Sequence, residues 1–188
     1  MVAAMANITD PEQITGEVLR LGTIASVDHA AATCTVAAGD IVTGELPWIA
    51  QRAGNIRHWS PPSVGEQCLL ICPEGDLEAG LVILALYSDA CPPPSNSADI
   101  SLVAYPDGAQ ISYDHAAHKL SAILPAGGTA EITADGGITV TGDVTITGNV
   151  TVEGKVAASD DVVAGSISLK NHKHGGVAAG AAQTGAPA

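Results

Sequence analysis

The stretch GGITVTGDVTITGNVTVEGKVAAS, residues 136–159, decides the fold of this chain. Its even positions run Ile138, Val140, Gly142, Val144, Ile146, Gly148, Val150, Val152, Gly154 and Val156, each aliphatic or glycine. The odd positions between them are Thr139, Thr141, Asp143, Thr145, Thr147, Asn149, Thr151, Glu153 and Lys155, all polar. Side chains alternate faces along an extended chain, so one face is wholly apolar and the other wholly wet. Glycine recurs at positions 142, 148 and 154, which lays a six-residue period over the alternation. A fixed period marks a repeated structural unit rather than one isolated strand.

No part of the chain reads as an amphipathic helix that could cover the apolar face. A single copy would therefore expose a long hydrophobic stripe, and such stripes predict association. Three copies wound about a common axis hide it completely, with aliphatic positions in a narrow core and glycine where the backbone bends between faces. Full strand pairing in such a prism also leaves no long exposed edge. The expectation is a homotrimer with an intertwined triple-stranded β-helix. A second reading is the left-handed parallel β-helix of hexapeptide-repeat acyltransferases, with aliphatics at i and i+4 as at Val140/Val144 and Ile146/Val150. That fold needs about three hexads per coil and several coils. Only three or four clear hexads are present, and no histidine lies between His118 and His172 to act as general base.

Upstream, the chain divides at CPPPSNSAD, residues 91–99, where three consecutive prolines followed by Ser and Asn cannot continue a sheet. Before it, short strand-like runs alternate with Gly-, Asp- and Pro-containing turns: TGEVLRLGTIASVDHAAATCTVAAG, IVTGELPWIA, EQCLLICPEG and GLVILALYS. About five such strands suggest a small closed barrel of the OB type. OB folds often bind oligonucleotides, but such binders need basic grooves and stacking aromatics. After the linker, ISLVAYPDGAQISYDHAAHKLSAILPAGG reads as three strands, the first pair turned at PDG and the second at DHAAH. His115 and His118 sit in that bend with only Asp114 at hand, too few ligands for zinc. His29 and His58 read as solvent-facing or satisfied barrel residues.

Composition narrows the function. The 188 residues include 21 glycines and no phenylalanine, and a formal net charge of −13 stands on only seven basic residues. Phosphate-backbone affinity comes from Lys and Arg, so a nucleic-acid partner is not expected. The start, MVAAMANITDPEQ, lacks a basic n-region and a long apolar run, so no signal peptide is expected. The longest apolar run, LVILALY, is far short of the ~18 residues of a membrane span. Cys34, Cys68, Cys72 and Cys91 match neither a redox nor a zinc-knuckle spacing and read as buried, reduced small hydrophobes, with Cys68 and Cys72 on one strand face.

Taken in order, LPWIAQRAGNIRHWSPPSVGEQCLLICPEGD (46–76), YPDGAQISYD, TVTGDVTITGNVTVEGKV, DDVVAGSISLKNHKHGGV and the terminal TGAPA resemble the Mu-type baseplate assembly protein V family, the central tail spike of contractile-tailed bacteriophages. The resemblance covers nearly the whole chain from about Thr15. It implies a homotrimer that caps the tail tube, contacts tail hub and baseplate proteins, and breaches the host outer membrane on sheath contraction. It places the chain in the virion at the tip of the tail baseplate, after assembly in the host cytoplasm. Some related spikes carry a lysozyme domain; this chain has no segment left for one, so no enzymatic activity and no small-molecule substrate are expected.

On a threefold axis, one H-x-H per chain supplies six imidazoles at one point. Six nitrogen donors suit octahedral iron(II), nickel or cobalt better than tetrahedral zinc. The resemblance implies iron, one ion per trimer, ligated by His172 and His174, with Lys173 facing outward and Gly175 and Gly176 reversing the chain. One difficulty stands: Ile167 and Leu169 have the opposite parity to the histidines, so a kink near Lys170 or Asn171 is required. The organisation expected is an N-terminal arm (1–14), an OB-fold domain (15–90), a Pro-rich linker (91–99), a β-strand connector (100–135), the triple-stranded β-helix (136–170) and a metal-binding apex with C-terminal tail (171–188).

Overall fold

The computed structural model describes residues 18–173 with Gly176 and Gly180. The arm expected over 1–14 lies outside the described residues, as do His174, Gly175 and most of the tail. The described chain is all-β, its one helical element a single 3-10 turn at Pro73–Gly75. It forms two compact units, Met1–Glu131 and Ile132–Ala188. No helix among the described residues is long and apolar enough to cross a membrane.

The first unit opens with β1 (Leu19–Asp28), β2 (Thr33–Ala38), β3 (Ile41–Val42), β4 (Leu46–Pro47), β5 (Gln67–Ile71) and β6 (Leu81–Leu86). The first half of β1 pairs with β5, from Leu19↔Ile71 to Thr23↔Gln67. Its second half pairs with β2, from Thr23↔Ala37 to Asp28↔Thr33, across a bulge between Ile24 and Ser26. β4 pairs with β2, and the next residue, Trp48, makes a parallel bridge to Val82 of β6. The Ile49 N–H donates to the Val82 carbonyl at 2.8 Å. The circuit β1–β2–β4–β6–β5–β1 is thus closed, as the OB-type expectation required.

Gly22 is what lets β1 serve both partners. A Cβ there would overlap the Val36 Cγ1 and lie 2.9 Å from the Ala37 carbonyl oxygen, a backbone atom with little room to shift. We expect Gly22→Ala to destabilise the barrel by about 1–3 kcal/mol, the usual cost of overpacking. A chemical-denaturation midpoint equal to wild type would contradict this.

The barrel core is Ile24, Cys34, Val36, Leu46, Cys68, Leu70, Cys72 and Val82, all essentially inaccessible. Cys68, Leu70 and Cys72 recur at every second position and all point inward, as the alternation predicted. All four cysteines are free thiols, and Cys91 alone is not fully buried. Burial pushes the Cys68 thiol up to about 11, with Cys34 and Glu66 adding to the effect. Its thiolate fraction near neutral pH is then roughly 100-fold below that of an ordinary thiol. A disulfide-exchange reagent should accordingly modify Cys91 first in the native protein and leave Cys34, Cys68 and Cys72 untouched until unfolding. Rapid labelling of Cys68 without unfolding would refute that packing.

The β1–β2 turn is held by Asp28, whose Oδ1 accepts from the Ala30 and Ala31 N–H groups at 2.8 and 3.0 Å. Those bonds, Ala31 first, lower the Asp28 pKa. The stabilisation is therefore present above the ordinary carboxylate range and is lost as pH falls through the lowered value.

Still within the first unit, β7 (Ile100–Ala104), β8 (Gln110–Asp114) and β9 (Lys119–Ile123) form an antiparallel meander. The PDG turn closes with Gly108 N–H to Tyr105 O at 3.0 Å and Gly108 at φ +89. At the second bend, Asp114 Oδ1 accepts from Ala116 and Ala117 N–H, and His118 takes φ +52. Val103, Ile111 and Ala122 align across the three strands beside Tyr113 and Leu120. This makes an apolar face that the chain itself leaves exposed.

In the second unit, residues 132–160 contain no strand pairing within the chain. The backbone bends at the hexad glycines, with Gly142 at φ +121 and Gly148 at φ +142. Those values suit glycine and strain any other residue. The aliphatic face stands open, from 51% exposure at Val152 to 70% at Val156. A small hairpin follows, β10 (Val163–Ala164) with β11 (Ile167–Ser168), turned at Gly165 with φ +62.

Candidate functional site

The hairpin β10–β11 delivers the chain to His172, and its local hydrogen bonds explain how. After β11 the extended strand breaks: the His172 N–H donates to the Ser168 carbonyl at 3.0 Å, closing one helical-type turn. Within that turn the Asn171 N–H donates to Ser168 Oγ at 2.9 Å. The parity difference between Ile167 and His172 therefore has a structural cause, a turn over residues 168–172. It includes Lys170 and Asn171, where a kink was required.

His172 is oriented by this turn. Its Nδ1 lies 3.1 Å from the Ser168 carbonyl and 3.2 Å from the Leu169 carbonyl. A carbonyl oxygen only accepts, so Nδ1 carries the proton of the neutral ring and the lone pair is at Nε2. That is the tautomer metal-bound histidines commonly adopt, the second nitrogen donating to a backbone carbonyl. Chemically, the ring suits a cation approaching Nε2. Its predicted partner ligand, His174, lies outside the described residues. Among the described residues no three His, Cys, Asp or Glu side chains of one chain converge to hold an ion. Lys170 Nζ is turned back to Asp160 Oδ1 at 3.3 Å.

The other histidines take ordinary roles. The His115 N–H donates to the Asp99 carbonyl at 3.0 Å, and its Nε2 sits 3.3 Å from Asp99 Oδ1. This ties the end of the Pro-rich stretch to the meander. His29 lies in the exposed β1–β2 turn.

A groove that the sequence did not announce lies in the first unit. It encloses about 740 Å³ between Ile49–Gln51 and Ile83–Ala85, with Arg57, His58, Trp59, Val103 and Tyr105 on its walls. Trp59 stacks obliquely on Trp48, ring centroids 5.7 Å apart, yet remains 62% exposed. Glu66 shares the groove, its Oε2 accepting from Ser63 N–H. One arginine beside a carboxylate cannot track a phosphate backbone, so the OB-type nucleic-acid reading gains nothing here.

Comparison with known proteins adds two matches at opposite ends of the chain. Residues 20–87 match the type VI secretion system/phage-baseplate injector OB domain, and residues 166–188 match the GpV apex motif. The spike protein of Escherichia phage P2 is 38% identical over 135 residues, covering 71% of this chain and 63% of that protein. The chain is thus similar to phage baseplate spike proteins, and it spans less than two thirds of that spike protein's length. The proteins matched are structural spike and baseplate components rather than enzymes. The acyltransferase reading falls with this. It also fails geometrically, because a single-chain β-helix would stack its hexads as strands within the chain, and residues 132–160 form no strand there.

Sequence reasoning missed Asp161. Its Oδ1 accepts from Val162 N–H at 2.8 Å and from Lys170 N–H at 3.1 Å, and its carboxylate also accepts from the Ser168 hydroxyl. These bonds, Ser168 first, hold its pKa below the usual carboxylate value. The available signal was an acidic residue immediately before a valine pair and a glycine turn.

Proposed function

We propose that this chain is the subunit of a homotrimeric tail spike at the centre of a phage baseplate, which pierces the host outer membrane when the tail contracts. The observation that carries the reading is the open stripe of Ile138, Val140, Val144, Ile146, Val150, Val152 and Val156, each more than half exposed. Apolar surface of this extent, on a backbone with no sheet partner of its own, calls for other copies of the same stripe. Three copies satisfy both needs, leaving threonines and charges outside. The result is a narrow β-helix over 136–170, preceded by the OB-fold domain over 15–90, the linker over 91–99 and the connector over 100–135. Strands running along the axis would carry the load of penetration through many interchain hydrogen bonds at once.

The point of the spike is the apex over 171–188. There His172 and His174 from three chains would ligate one iron ion with six imidazoles, an octahedral donor set. The Nδ1 contacts of His172 with backbone carbonyls support this, since they leave Nε2 as the nitrogen that would coordinate. At the other end, the barrel would join the tail hub and neighbouring baseplate proteins. Ile56, Trp59 and Val64, exposed on the long connection between β4 and β5, are suited to a protein partner.

Native mass spectrometry of the purified chain tests the assembly: three chains and one iron are expected, and a monomer would overturn the proposal. Particles lacking the chain and complemented with it should regain adsorption-triggered leakage of the host outer membrane. Particles that contract and breach the membrane equally well without it would remove the piercing role.

A further inference from the structure

We infer that Asp161 is a positioning residue for the apex, a buckle that sets the direction in which the chain presents His172. The inference rests on the metal-apex reading and concerns a residue outside the matched apex motif, which begins at residue 166. Asp161 lies before β10, yet its Oδ1 takes the N–H of Lys170, beyond β11. The same carboxylate takes the Ser168 hydroxyl, and Ser168 Oγ in turn takes the Asn171 N–H at 2.9 Å. Ser168 also offers its carbonyl to the His172 N–H and to the His172 ring. One carboxylate thus fixes both the first residue after the hairpin and the serine on which the histidine turn is built.

The adjacent strand bonds reinforce the arrangement. The Leu169 N–H donates to the Val162 carbonyl at 3.0 Å, so Asp161 closes the open end of a ladder that begins at Gly165. Without the carboxylate, Lys170 loses its anchor and the Ser168 hydroxyl its acceptor, so the turn is left to the short backbone bonds of the hairpin and resists a return to the extended path less. An extended path would carry the opposite parity into position 172 and rotate its ring to the other face. Asp161 therefore decides which face the imidazole takes.

The variants Asp161→Ala, Asp161→Asn and Ser168→Ala of the full chain would test this, each loaded with iron(II) and challenged with a chelator. Asp161→Ala is expected to lower apparent iron affinity about 10–100-fold, the usual effect of removing an outer-shell partner. Asp161→Asn keeps an Oδ1 acceptor and should recover most of it, while Ser168→Ala falls between. Hydrogen exchange supplies a second readout: the amides of Lys170, Asn171 and His172 should lose protection in Asp161→Ala and keep it in Asp161→Asn. Sedimentation checks that each variant assembles as wild type does. Equal iron retention and equal protection in wild type and Asp161→Ala would overturn the inference. Wild-type chain that binds no iron would instead overturn the apex reading, and the amide protection alone would then judge the buckle.

Discussion

Val144→Asp is expected to abolish the heat-resistant trimer. Val144 lies on the stripe that three copies would turn toward their common axis, so the substitution places three carboxylates side by side in an apolar core. Each must be either desolvated as a charge or protonated, and like charges at short range oppose ionisation of all three. The cost is several kcal/mol per trimer, on the scale of a whole domain's stability. Ile146→Asp should behave alike, being two residues on and on the same face. Thr145→Asp, one residue away on the wet face, should change stability by only about 0.5 kcal/mol or less. Sedimentation velocity and thermal unfolding of the three variants decide the matter. If Val144→Asp sediments as an intact trimer with an unchanged unfolding temperature, the axial core does not exist.

The contrast between Val144 and Thr145 shows how much of this protein can be read from its residues. Alternation assigns faces without any knowledge of partners, which is why Cys68 and Cys72 were legible as buried on one strand face and the hexads as a two-faced strand. Turns with a local chemical cause were equally legible, PDG through its glycine and DHAAH through Asp114. Partner identity is different. Residues 132–160 carry the strongest strand pattern in the chain and form no strand within it. The pattern names the face to be buried; it does not contain the surface that buries it.

Two other features escaped for a related reason, since their cause lies far away in sequence. Gly22 looks like any strand glycine until Ala37 of the neighbouring strand is seen 2.9 Å from its missing Cβ. Beside the turn that reorients His172, a carboxylate at position 161 reaches the Lys170 N–H across the hairpin. Local periodicity signalled that something must happen between Leu169 and His172, but not what held it. The Pro-rich stretch 91–99 gives a further case. Its composition breaks the run of strands, yet the barrel and the meander on either side share one compact unit, and Asp99 is tied to His115. Prolines end strand pairing without ending tertiary contact.

The double substitution His172→Ala with His174→Ala is expected to remove the bound metal completely and leave a folded trimer with a mobile point. Six imidazoles converge only if each chain contributes both rings, so losing the pair removes every ligand at once. Histidine coordinates as the neutral ring and competes with protons, so occupancy in the wild type should fall as pH drops below ~6. The variant should show no such dependence. One ion shared by three chains would act as a crosslink where the strands would otherwise fray. Its loss should therefore lower protection of the last strand residues while leaving the barrel's unfolding unchanged, because the barrel core is formed by residues of the first unit alone. Elemental analysis of purified wild-type and double-alanine trimers provides the measurement, with about one iron per trimer expected in the first and none in the second. Equal metal in both would show that the ions sit elsewhere and that these histidines face solvent.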